Sequence, residues 1–507
     1  MLLCSNGYDA FSAVGLLGVP APARRILLEP KLSEPAPAMS DPAQDSQRDN
    51  PYTRGLAQFV SGLRYEAIPP EVLQRIRLLI LDSLGCALFG AHLQWSRILR
   101  DTLHQVDGGT GAAVWGTDMR LSAPHAALAN GTQVQGFELD DVHRQGVLHV
   151  GAVVLPALLA IAEMRPGMDG KEFLAAAVAG YEVGPRIGVC MGPEHIAQGW
   201  HSGATLGVFS AGAGAARGLR LDPARTVHAL GIAGTQAAGL MAAQYGAMVK
   251  RMHAGRSSQS GLYGALLAEQ GFTGIENVLE SEYGGFCSTF SRSQDRFDLT
   301  QLTAGLGETW QTMGVALKFY SCVGSNHTTL DGLRILQERH PFGANDVEKI
   351  IVRGSQVTMD HVGWKYHPSG LVSAQLNLPY CVATFLLDGD CFVHQFKEEL
   401  VADPARMRLA ERVEVQHDAE ITARGSRFRH MVHVEAVLKD GTRLTTTVEA
   451  PRGSEQSFAT EGEVVDKFRK LAAYALPTAQ IDALQEAVLG VGKLDSASRI
   501  VDLMVRR

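Results

Sequence analysis

From Pro51 to about Gly305, apolar residues recur at helical spacing with little interruption. Pro69-Pro70-Glu71 opens one such run, and Val72, Ile76, Leu79, Ile80 and Ser83 recur at the 3.6-residue helical spacing. That spacing puts them on a single stripe facing a core, after a proline pair suited to a helix start. The same period predicts helices over residues 125–134, 152–164, 171–187, 203–218, 224–242 and 257–270. Small residues fill these stretches and permit close helix–helix contact. No alternating β pattern competes in this region.

The pattern changes near Thr312. Residues 347–352 and 412–416 alternate with period two, and 432–438 and 443–448 flank Asp440-Gly441, a hairpin signal. Helical stretches at 328–339 and 376–387 lie between them, and 461–471 and 478–489 are helical again. The expected fold is mainly α with an α+β second domain. A large all-helical domain is built from residues 51–311 and the returning segment 453–507, with 312–452 forming a smaller α+β lid domain. Residues 1–50 are rich in Pro, Ala, Ser, Asp and Gln, and read as a disordered or mis-called extension, with Met39 as an alternative start.

Composition narrows the function classes. The 507 residues carry a net charge of −7, which argues against nucleic acid as the main partner. No window of 18 unbroken apolar residues predicts a transmembrane helix. The seven cysteines are scattered, with no Cys-x-x-Cys pair, an arrangement that speaks for a reducing, cytoplasmic setting and against a disulfide framework or a structural zinc site. No cofactor and no metal is expected.

Within this apolar chain, charge is concentrated in few places. Lys250, Arg251, His253 and Arg256 fall within seven positions of Ala- and Gly-rich sequence. Cations in such surroundings need an anion opposite them, from the fold or from a ligand. Glu138, Asp140, Asp141, His143 and His149 form a second cluster, with His149 next to an apolar helical run. Metal ligation there would need a spacing that Asp-Asp-x-His does not supply, whereas histidine beside carboxylate suits proton transfer. His201 precedes an apolar helix, and Lys318 and His327 lie at the junction between the two domains, where ligand sites concentrate. Phosphate-loop, nucleophile-elbow and His-Glu-x-x-His patterns are absent.

Taken in order, Asn130-Gly131, Glu138-Leu139-Asp140-Asp141, His149, Val249 through Arg256, Lys318-Phe319-Tyr320, His327 and Leu378-Pro379-Tyr380 resemble the MmgE/PrpD family. The resemblance runs from about Pro51 to about Val501. It implies a homodimer with a cofactor-free cleft between the domains, acting on a small polycarboxylate. The implied activity is that of a lyase, dehydrating like 2-methylcitrate dehydratase or decarboxylating like cis-aconitate decarboxylase; the alternative is an epimerase or racemase like iminodisuccinate epimerase. It further implies catalytic roles for His149, Lys250, His327, Asp140 and Asp141. Substrate contacts would come from Glu138, Val142, His201, Arg251, His253, Arg256 and Lys318. Relative to the decarboxylase pattern, Glu138 stands for Asp and Val142 for Thr, and Gln135 sits where many relatives have His.

Overall fold

The computed structural model describes residues 50–192 and 194–506. The expectations for residues 1–49, Met39 included, lie outside the described residues. The first lobe is built of nine longer helices: α1 (Pro51–Gly62), α2 (Pro70–Gly90), α3 (Gln94–Val106), α4 (Ala123–Val134), α5 (Val150–Met164), α6 (Gly170–Met191), α7 (Gly207–Gly218), α8 (Pro223–Gly234) and α9 (Val249–Glu269). Helix α5 is buried on every side from Val150 to Ala162, which is why its sequence shows a continuous apolar run rather than a stripe. Around it pack α4, α6, α7 and α9. Glycines set the closest approach: a methyl group on Gly255 of α9 would lie 2.1 Å from the Leu128 carbonyl of α4, and one on Gly131 would lie 2.6 Å from Gly255 Cα.

The second lobe contains α10 (Gly324–Arg339), β1 (Val347–Gly354), α11 (Leu378–Asp388), β2 (Val413–His417), β3 (Val432–Leu438) and β4 (Arg443–Val448). Its sheet has the order β2-β1-β3-β4, with β1 and β2 parallel and the other pairs antiparallel. Helix α10 packs on β3 and β4. Asp440-Gly441 lies in the turn between those strands, with Gly441 at φ +90°.

The chain then returns to the first lobe. Helix α12 (Glu461–Ala472), started by a Thr460–Glu463 capping box, packs on α2, and α13 (Thr478–Leu489) also touches α2. Lys467 of α12 pairs with the fully buried Asp82 of α2 at 2.5 Å and donates to the Leu139 carbonyl at 2.7 Å. No single helix among the described residues is long and apolar enough to cross a membrane.

Three expectations need correction. The helix expected over 224–242 stops at Gly234, and the chain turns through a short 3₁₀ segment to Gly246 at φ +118°. The helix expected from 257 begins at Val249 instead, so the cationic cluster lies inside α9. Its polar residues hide the apolar period but leave the backbone helical, because groups across the core satisfy them. Two-residue ladders, Ala112–Ala113 with Arg120–Leu121 and Val142–His143 with Val315–Ala316, interrupt the helical region; they are too short to show alternation.

Candidate functional site

Helix α4 ends in a 3₁₀ turn, Gln135–Phe137, which delivers Glu138 in the left-handed region at φ 55°. A non-glycine residue there costs about 1–2 kcal/mol, and the conformation aims the carboxylate across the core. It meets Lys250 Nζ, Arg251 at 2.6 Å and Lys318 at 3.3 Å. Burial alone would raise this carboxyl, but Lys250, Lys318 and Arg251 hold it well below the usual carboxylate range. Burial in turn lowers the Lys250 amine, although Glu138 opposes the shift.

Two residues further on, Asp140 forms a charge contact with His149 Nδ1 at 3.0 Å, and its side chain is wholly buried. Burial opposes its ionisation, yet the His149 contact holds the carboxyl below its ordinary value. Nδ1 is the ring nitrogen that faces the carboxylate, and Nε2 is turned away from it. His149 is also the residue that caps α5. Asp141 fixes that helix start by accepting from Gly151 N–H at 3.0 Å, while Tyr181 Oη lies 2.8 Å from its other oxygen. A side chain at residue 151 would collide with Ser83 and Tyr181, so glycine is what lets the carboxyl approach. Burial and the neighbouring Asp140 charge push Asp141 up to about 7.

On α9, His253 faces His201, Nδ1 to Nδ1, at 3.0 Å. One ring must donate and the other accept, so both cannot be protonated there. Burial lowers both imidazoles, and the Lys250 charge adds to this. His201 caps the short helix Ser202–Thr205.

The second lobe supplies the opposite wall. Gln375 accepts from Arg251 at 3.3 Å and donates to the Phe137 and Ser321 carbonyls, at 3.3 and 2.9 Å. One amide thus ties α9, the turn after α4 and the segment leading into α10. His327, near the start of α10, directs Nε2 at the Cys322 carbonyl at 3.1 Å, and Tyr320 packs edge-on against its ring at 5.2 Å. The carbonyl can only accept, so Nε2 carries the hydrogen and Nδ1 is the basic atom. Glu182 of α6 anchors the approach to Lys318 by accepting from the Gln311 and Thr312 backbones, both at 2.9 Å.

Glu138, Lys250, Arg251 and Lys318 therefore form one contact group, with the His149–Asp140 and His201–His253 pairs within reach of its charges. His327 is linked to it through Gln375 and Cys322. Val142 lies in the short ladder opposite Ala316. Arg256 is exposed and bonds Gln259, on a different helix face from Lys250. His143 is buried, takes the Gly146 N–H on Nδ1 at 2.9 Å, and is pushed down to about 4 by burial. Sequence reasoning missed Gln375, a glutamine in an apolar helix with no motif around it. It also missed a neighbouring cluster in which Arg144 reaches Glu455 and His430, and Arg429 donates to the Arg144 carbonyl. Cavities of about 300 and 340 Å³ lie elsewhere on the molecule.

Comparison with known proteins gives this arrangement a family. The profile of the MmgE/PrpD N-terminal domain matches residues 54–298, and that of the MmgE/PrpD C-terminal domain matches 320–491. The chain is 33% identical to the cis-aconitate decarboxylase-like protein oryM of Aspergillus oryzae, across 91% of this chain and 98% of that one. It is 32% identical to cis-aconitate decarboxylase of Aspergillus terreus, over 92% and 98%. With the human cis-aconitate decarboxylase it shares 24% identity, over 89% and 94%. The two profiles together span most of the chain, and the chain belongs to the MmgE/PrpD family.

Proposed function

We propose that the protein is a lyase that decarboxylates a small unsaturated polycarboxylate of the cis-aconitate type. One observation carries this reading: three cationic side chains, Lys250, Arg251 and Lys318, face a single carboxylate, Glu138. The surplus positive charge suits the carboxylates of a di- or tricarboxylic acid, and bidentate guanidinium contacts suit their geometry. The named relatives support the decarboxylase over the dehydratase, and none of them is an epimerase.

In this reading, Lys250, Arg251 and Lys318 bind substrate carboxylates. The C–C bond to one carboxylate breaks and carbon dioxide leaves. The electron pair stays on carbon, delocalised toward a remaining carboxylate whose developing enediolate charge the same cations stabilise; preorganised electrostatics of this kind is usually the largest catalytic contribution. A proton taken up from solvent on His149 Nε2 or His327 Nδ1 then passes to that carbon and leaves the imidazole neutral, each such group contributing typically about 10²–10⁴-fold. Asp140 faces His149 Nδ1, and Asp141 positions the helix start that carries it. His201 and His253 receive a distal carboxylate.

The test is incubation with cis-aconitate, citrate and 2-methylcitrate, followed by mass spectrometry. Loss of carbon dioxide from cis-aconitate, abolished by Lys250→Ala, is the expected result. Loss of water from a hydroxy acid instead would move the assignment to a dehydratase, and no turnover of any of the three would overturn the lyase reading.

A further inference from the structure

Three cysteines remote in sequence meet in the second lobe. Cys322 lies just before α10, Cys381 in α11 and Cys391 in the loop beyond it, and their sulfurs all lie within 4.8 Å of one another. Each has no exposed surface, and each is a free thiol. The Asn326 amide donates to the Cys381 sulfur at 3.3 Å, and the Ala374 carbonyl lies 3.5 Å from it.

We propose that Cys322, Cys381 and Cys391 form a binding site for one thiophilic metal ion, cuprous or zinc. The size fits: three sulfurs each about 2.3 Å from a shared ion stand about 4 Å apart, so closing the site needs shifts below an ångström. The donor set is soft, which selects copper(I) and zinc over magnesium or calcium. Among the described residues no histidine, aspartate or glutamate joins the group, an arrangement suited to a three-coordinate ion. Binding releases the thiol protons to solvent and involves no electron transfer.

A cavity lies beside residues that neighbour the cluster in sequence. The cavity of about 300 Å³ is lined by Tyr320, Phe385, Gly389, Asp390, Glu338 and Arg452, among others. Phe385 lies one helical turn beyond Cys381, and Asp390 accepts the Cys391 N–H at 2.7 Å. Asp390 and Glu338 bring carboxylates to its lining and Arg334 and Arg452 bring guanidiniums, with Glu338 paired to Arg334 at 2.7 Å. On the other side, the carbonyl of Cys322 is the group that receives His327 Nε2, so an ion held here touches the segment that orients that imidazole. The expectation against a zinc site rested on local cysteine spacing, which carries no information about thiols 59 and 10 residues apart in sequence. The site stands independently of the proposed reaction.

The test loads the reduced full chain with one equivalent of zinc, or of copper(I) under nitrogen. Unbound metal is removed with a weak chelator, and what remains is counted by plasma mass spectrometry. Retention of about one equivalent of either ion is expected, with X-ray absorption showing three sulfur neighbours. The double variant Cys381→Ala, Cys391→Ala should retain less than about one tenth as much, and Cys190→Ala, a change in α6 outside the group, should retain the full amount. Equal retention by the double variant, retention of neither ion by the wild type, or a first shell of nitrogen and oxygen overturns the proposal. Should the double variant misfold by circular dichroism, the wild-type absorption spectrum decides alone.

Discussion

Replacing Lys250 with alanine takes one cation from Glu138 but leaves Arg251 and Lys318 in contact with it. The variant should therefore keep a wild-type urea midpoint while losing about 10²–10³-fold or more in kcat. Normal turnover in a folded variant would remove Lys250 from the mechanism. Asp141 offers a pH test. In the fold it stays protonated up to about 7, whereas in the unfolded chain it ionises near the ordinary value of about 3.9. Between these limits the native state binds the extra proton, so stability falls as pH rises from about 4 to 7, by roughly 4 kcal/mol. Asp141→Asn mimics the protonated acid, accepting from Gly151 N–H and donating toward Tyr181. It should flatten that slope and stabilise the protein at pH 8, as read from urea midpoints across pH. Charge in apolar sequence marked Glu138, Lys250, Arg251 and Lys318 one by one. Their convergence was not legible, because Glu138 and Lys318 are 180 residues apart and no local pattern encodes a long-range pair.

Helix α9 shows how an element carries the site. Lys250 and Arg251 reach Glu138 because Gly255 lets α9 lie against the backbone of α4, where an added methyl group would sit 2.1 Å from the Leu128 carbonyl and 2.6 Å from Thr132 Oγ1. Gly255→Ala should cost about 1–3 kcal/mol by overpacking, and it should also lower kcat/KM because the helix must move away from Glu138. A thermal melt and a rate measurement on the same preparation check both; loss of stability with unchanged kinetics would separate the packing from the site. Most long helices were legible from their apolar period, and so were the strands β1–β4. The period failed at the start of α9, where the residues that bind across the core are polar. It failed again after Gly234, where an Ala-rich continuation reads as helix although the backbone turns.

For the molecule as a whole, the join between chain ends is the decisive contact. Lys467 neutralises Asp82, and its amine also holds the Leu139 carbonyl between Glu138 and Asp140. Lys467→Met strands a buried carboxyl, and should cost about 3–5 kcal/mol in urea denaturation, whereas Lys467→Met with Asp82→Leu should recover most of that loss. If the double variant is no better than the single one, the pair is not what fastens the returning segment. The mainly α fold with an α+β part was readable from the change of period along the chain; the ion pair was not, since Asp82 lies in the largely apolar second half of α2 and no local pattern points to Lys467. The late position of α12 has a consequence during synthesis. About 370 residues separate it from α2, so at about 5–20 residues per second a ribosome needs roughly 20–75 s to deliver it. Throughout that interval the nascent helix bundle carries an uncovered oily flank with a carboxyl in its midst, a natural target for chaperone capture.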